Sequence, residues 1–139
     1  WLTAGIREIA ADGRIVRDLP VRRYSWSRLL RNNTLFHPAT FVRRETLTSI
    51  GGFDPELHYA MDYDLWLRLA QLAPPLVLGK IVTNFRVHPG SRSTAQRLKA
   101  LDEEYLVRQR YLSGPLERWL SRFYQITRRT CEGWSLRQN

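Results

Sequence analysis

At 139 residues the chain has the size of one domain and enough length to bury a core. With 43% hydrophobic and 12% aromatic residues its composition is globular rather than disordered, and no apolar run approaches the roughly 20 residues of a membrane span. The single cysteine, Cys131, excludes an intrachain disulfide and a cysteine-based zinc site. A formal charge of +9, carried almost wholly by arginine, suits anionic partners such as nucleic acid, acidic lipid headgroups or phosphorylated substrates, although the arginines are spread along the chain.

The opening WLTAGIREIAADGRIVRDL lacks the basic start and long apolar core of a signal peptide, so a start inside a fold is expected. It reads as two short strands joined by Ala11-Asp12-Gly13, a hairpin turn signal. SWSRLLRN has a serine start and helical spacing, and Asn32-Asn33 breaks it. LFHPATFVRR predicts a strand passing into a short helix at RRETLTSI, where Arg43 and Arg44 are simple surface charges and Gly51-Gly52 supplies the stop. FDPELHYA is an irregular loop, followed by a helix from Met61 to about Leu72 that Pro74-Pro75 ends. PLVLGKIVTNFRVH gives two β-rich runs split at Gly79-Lys80, and PGSRST is a loop. From about Thr94 the pattern is helical, with Leu98, Leu101, Tyr105 and Leu112 at three-to-four spacing. A break at Ser113-Gly114-Pro115 starts a last helix carrying Leu116, Trp119, Leu120, Phe123 and Tyr124 on one side, with a frayed tail after Gly133.

HYAMDYDLWLRLA places two carboxylates in an apolar helix start. Met61, Leu65, Leu69 and Leu72 form the stripe that should meet the core, and Asp62 shares an adjacent face with Trp66 and Leu69. Asp64 has Arg68 one turn later, which predicts a helix-surface ion pair. Helix physics alone makes Asp62 a cap for free N–H groups.

A second account of Asp62 comes from its surroundings. HPATFVRRETLTSIGGFDPELHYAMDYDLWLRLA, followed by FRVHPGSRS, resembles the carboxyl-terminal half of family 2 glycosyltransferases, inverting nucleotide-sugar-dependent enzymes of the GT-A fold. The similarity spans about residues 2–93 and has ordered parts: a small-residue strand followed by arginines, Gly51-Gly52-Phe53-Asp54, the acidic helix start with Asp64-Leu65-Trp66, and Arg86-Val87-His88 with the serines after it. The resemblance implies that Asp62 is the general base that takes the proton of the acceptor hydroxyl. It also implies that the Gly51-Gly52 bend lets backbone approach the donor sugar, with Asp54 near its hydroxyls and Trp66 at the substrate. Arg86 is placed by it near a donor phosphate, with a strand-edge surface charge as the plain alternative. His88 is open among a packed loop histidine, a metal or diphosphate ligand and an acceptor contact. His37, before Pro38, is left as a packed loop residue. Met61 departs from the family, which more often has Glu there, so support for the Asp62 carboxylate must come from elsewhere.

The family's Asp-x-Asp turn and its nucleotide-holding strand–loop–helix unit are not found in these residues, and neither is a Gln-x-x-Arg-Trp signature. The fold expected is therefore α/β, or α+β in isolation: a partial GT-A-like fold, with a short mixed sheet and packed helices as an acceptor-side half over 1–93, then a helical hairpin extension over 94–139. The implied parent enzyme transfers a hexose-like sugar once, to a glycan or lipid-linked acceptor, using a divalent metal (Mg or Mn); the isolated chain is expected to be inactive and to bind no metal. A competing reading is a non-catalytic basic module that contacts an anionic membrane surface, or self-associates, through its helical end. Nucleic acid has only charge in its favour. The location expected is cytoplasmic, with peripheral contact at the inner face of the membrane as a variant.

Overall fold

Asp12 and Gly13 turn the chain at its first reversal: Gly13 sits at φ +90°, and Asp12 accepts the N–H of Arg14 (3.0 Å). The strands on either side, β1 (Leu2–Ile9) and β2 (Ile15–Leu19), pair antiparallel as the sequence predicts, and opposed Arg7–Asp18 and Glu8–Arg17 ion pairs hold the register. This computed structural model describes residues 1–88 and 96–138; the expected PGSRST loop lies outside them.

β1 is the centre of a four-stranded mixed sheet. One edge of β1 receives β2 along its second half and the two-residue β3 (Thr40–Phe41) at its start, both antiparallel. Its other edge pairs along its whole length with β4 (Leu76–Arg86), in parallel. Gly5 is required there, since a Cβ would lie 2.8 Å from both the Leu19 carbonyl and the Ile81 side chain. Two expectations are corrected. The β-rich runs split at Gly79-Lys80 are one strand, and the split is a bulge: pairing passes from Ala4↔Leu78 to Gly5↔Ile81. LFHPATFVRR is mostly not strand, because Pro38 has no N–H for a ladder; His37–Ala39 form a 3-10 turn before β3.

The helices follow the predicted order: α1 (Trp26–Arg31), α2 (Arg44–Ser49), α3 (Met61–Leu72), α4 (Arg97–Gln109) and α5 (Pro115–Gln138). α2 ends in a Schellman motif, in which the Gly52 N–H donates to Leu47 O (2.9 Å) and the Gly51 N–H to Thr48 O (3.0 Å). Both glycines are left-handed, at φ +81° and +69°. α3 is the core helix. It buries Tyr63, Leu65, Trp66, Leu67 and Leu69 among Leu29, Leu35, Leu57 and Val107, so burial extends beyond the single predicted stripe, while Leu72 at its end is exposed. Across the soft boundary placed near residue 94, α4 packs on α3 and contributes Val107 to the same core.

α4 and α5 form the expected helical hairpin, and α5 continues as helix past Gly133 to Gln138 instead of fraying. No described helix is long and apolar enough to cross a membrane. The open space around Gly52 and Gly79 isolates the backbone term. Gly52→Ala should destabilise by about 1 kcal/mol through its positive φ, and Gly79→Ala should change stability little; urea unfolding of the two variants checks this.

Candidate active site

A cleft of about 900 Å³ opens between β1 and the end of β4 on one side and the starts of α3 and α4 on the other. Met61 and Asp62 of α3, Asn33, His37, His58, Arg86, His88 and Arg97 reach it, with Ile6, Leu35 and Phe85 as apolar wall. Asp62, Arg86 and His88, three residues singled out from the sequence, are thus brought to one cavity.

Asp62 occupies the second position of α3. Its Oδ1 accepts the Tyr63 N–H (2.7 Å) and its Oδ2 accepts from Asn33 Nδ2 (3.1 Å). It therefore satisfies one free N–H of the helix start, as a capping residue would, while Ala60 at the N-cap supplies no side-chain bond. Burial, the dominant influence, pushes the Asp62 carboxyl above its ordinary range; the Tyr63 N–H, Asn33 and nearby His37 pull the other way without cancelling it. Three carboxylates line this cleft. Glu8 is paired with Arg17 and Glu104 with Arg128 (2.7 Å), whereas Asp62 has no salt bridge among the described residues.

Asp64, two positions on, has the opposite surroundings. The predicted partner is right and the predicted location is not: Asp64 is 1% exposed, because α3 is covered on this side by the Gly51-Gly52 turn and the end of α4. Its carboxylate receives Arg68 Nε (2.8 Å) and Arg110 Nη1 (3.1 Å). Arg68 also donates to the carbonyls of Ile50 (2.8 Å) and Gly52 (2.7 Å), and Arg110 reaches Asp54 (3.2 Å). Gly51, Gly52 and Asp54 line a second, smaller hollow with this network and do not reach the cleft of Asp62. The Asp54 carboxyl is held below its ordinary range, first by the Glu56 N–H and also by Arg110.

Trp66 does not line the cleft either. It is buried, stacked on Trp1 (centroids 5.9 Å apart) and met edge-on by His37 (6.0 Å), which also stacks on Phe53. His37 is thus packed on aromatic rings, as expected for a loop histidine, yet it also reaches the cleft. Arg86 ends β4 and donates from Nη1 to the Ala10 (3.0 Å) and Ala11 (2.6 Å) carbonyls, which fixes its guanidinium at the cleft rim. His88 is exposed at the same rim. No group of three or more His, Cys, Asp or Glu among the described residues is placed to hold a metal, so His88 is not part of such a cluster there.

Two supporting residues had no signature in the sequence. Asn33 reads as a helix breaker, and only the fold brings it to Asp62. Glu103, on the unpredicted inner side of α4, accepts the consecutive N–H groups of His58 (3.0 Å), Tyr59 and Ala60 (2.6 Å). Burial raises the Glu103 carboxyl, but the three N–H groups outweigh it and hold the group below its ordinary range.

The signs differ for the two carboxylates. Asp62 is raised on folding, so it favours the fold most below its unfolded pKa and loses that contribution as pH rises through the folded value. Asp62→Asn should therefore melt at or above the wild-type temperature at neutral pH, since an amide oxygen still accepts from Tyr63. Glu103 is lowered, so its contribution is present above its unfolded pKa and vanishes as pH falls through the folded value. Glu103→Ala should cost about 2 kcal/mol at neutral pH, with the difference closing in acid; melting curves across pH check both. Compared with known proteins, the chain matches no described family, no curated protein and no solved structure.

Proposed function

We propose that this chain provides the acceptor side of an inverting sugar-transfer site, with Asp62 as its general base. The observation that carries the reading is the state of Asp62: a half-buried carboxylate at a rigid helix start, facing a cleft, with no counter-ion among the described residues and a raised pKa. Such a group is a stronger base than an ordinary aspartate, and it stands where an incoming hydroxyl can be held. The motif order around it, from Gly51-Gly52-Phe53-Asp54 to Arg86 and His88, supports sugar transfer over other hydroxyl chemistry.

In this reading the acceptor hydroxyl lies in the cleft and donates to Asp62. As the proton passes to the carboxylate, the oxygen attacks the anomeric carbon from the face opposite the departing nucleoside diphosphate. The new C–O bond forms as the old one breaks, and the configuration inverts. Asn33 and the Tyr63 N–H keep the carboxylate aimed, a role that Met61 cannot share. Arg86 at the rim offers positive charge to the departing phosphate. The second hollow, lined by Gly51, Gly52 and Asp54, is the place for sugar contacts outside the cleft. The described residues do not form a metal site, so a divalent ion at the diphosphate would take its other ligands from outside them.

The test is transfer by the intact protein, with a panel of nucleotide sugars and glycan or lipid-linked acceptors. Asp62→Asn should lower kcat by about 10²–10⁴-fold, the usual worth of a general base, with donor binding by calorimetry unchanged. Turnover near the wild-type rate would overturn the assignment of the base; absence of transfer with every donor would overturn the reaction.

A further inference from the structure

α5 is amphipathic and faces the wrong way for a helix that serves only as packing. Projected on a helical wheel, Leu116, Trp119, Leu120, Phe123 and Ile126 fall within a sector of about 120°. A helix held by a hydrophobic seam would turn that sector toward α4. Here the sector points outward: Leu116 is 67% exposed, Trp119 62% and Phe123 59%, with Leu120 and Ile126 also exposed. The side turned to α4 is polar, with Ser121 and Gln125 buried, Gln125 donating to Leu101 O (2.9 Å), Arg128 paired with Glu104 and Arg129 with Asp102.

The charges beside the apolar sector are uneven. Arg118 and Arg122, one turn apart on the polar side with Arg122 at the border of the apolar sector, are exposed and pair with no carboxylate among the described residues. The two acidic side chains of α5 are engaged: Glu117 accepts the N–H groups of Ser113 and Gly114, and Glu132 pairs with Arg97. The outward face is therefore apolar and aromatic with a positive border, on a chain of formal charge +9. Trp and Phe on such a face, beside arginine, fit the boundary between acyl chains and anionic headgroups. A second copy fits less well, because it would cover the apolar sector but offer Arg118 and Arg122 no free acidic partner on this face, where both glutamates of α5 are engaged.

We infer that α5 docks this protein onto an anionic bilayer surface, lying in the interface with Leu116, Trp119, Leu120, Phe123 and Ile126 immersed and Arg118 and Arg122 at the headgroups. The helix lies on the membrane and does not span it: no described helix is apolar enough to cross. The inference stands apart from the sugar-transfer reading, since it uses no residue of the cleft.

Co-sedimentation with vesicles of phosphatidylcholine alone, and of phosphatidylcholine mixed with phosphatidylglycerol, tests it. Binding should be at least about tenfold stronger to the anionic vesicles and should weaken as salt is raised. Arg118→Glu with Arg122→Glu should lower it by about tenfold or more, and Trp119→Ser with Phe123→Ser by a similar factor. Val82→Ser, an exposed apolar residue on the sheet, should leave it unchanged. Circular dichroism keeps the comparison to folded variants, and all four α5 positions are exposed. Equal binding to both vesicle types, no binding to either, or full binding by the α5 variants would overturn the inference. A dimer in sedimentation equilibrium that Phe123→Ser dissolves, without vesicle binding, would assign the face to a second copy instead.

Discussion

The placement of α3 depends on a carboxylate it does not own. A helix start leaves backbone N–H groups without partners, and Ala60 at the N-cap has no side chain to offer them. Asp62 takes the Tyr63 N–H, and Glu103 of α4 reaches across the fold to take the three successive N–H groups of His58, Tyr59 and Ala60 in the turn just before the helix. A charged acceptor at a helix entrance is favourable for the dipole as well as for the individual bonds. Because the acceptor lies on another helix, the entry of α3 and the position of α4 are fixed together. Those two starts are also walls of the cleft, so this one contact ties one wall to the other.

Within the first turn and a half of α3, the fold then treats two aspartates in opposite ways. Asp64 is buried and fully compensated by Arg68 and Arg110, which carry the network on to the carbonyls of the Gly51-Gly52 turn and to Asp54. A buried ion network gives little net stability over an apolar equivalent but is costly to break, and its effect here is to lock α2, α3 and α4 in one arrangement. Among the described residues Asp62 receives two hydrogen bonds and no cation. Its burial opposes its charge, a feature that stability alone would not keep. Contrasting environments for neighbouring acids are how one helix start can hold a structural carboxylate beside a reactive one.

Local physics was legible in the sequence wherever it acts over a few residues. The Ala11-Asp12-Gly13 turn, the Gly51-Gly52 helix stop, the span of α3 from Met61 to Leu72 and the Pro115 start of α5 each rest on turn chemistry, caps or period, and each is found. What was hidden depends on the other side of a contact. Nothing near Asp64 signals that Arg110, far along the chain, will bury it, and a bonded Arg68 reads equally well as a surface pair. Asn33 and Glu103 have ordinary local readings, and only tertiary placement brings them to the helix start. The sites divided for the same reason: motif order grouped Gly51, Gly52, Asp54 and Trp66 with Asp62, but the helical turn between them points Asp62 into one cavity and Asp64 toward another.

The orientation of α5 follows from what α4 has left to offer. The inner side of α4 is occupied by α3 and the cleft, through Val107, Glu103 and Arg97. Its outer side presents Asp102, Glu104, Arg108 and Gln109, groups that need polar partners once covered. α5 meets part of that need with Ser121, Gln125, Arg128 and Arg129, and Tyr124 lies 5.6 Å from the buried Arg108 guanidinium, whose Nε and Nη2 have no hydrogen-bond partner among the described residues. An apolar face turned inward would have left the buried Glu104 without its partner, at a cost of about 1–3 kcal/mol. The polar seam therefore forces the apolar side of α5 outward, and it also allows that side to be covered by another surface without disturbing the contact that holds the hairpin. Through Glu104, which lines the cleft and bonds Arg128, the outward helix and the catalytic candidate share one wall.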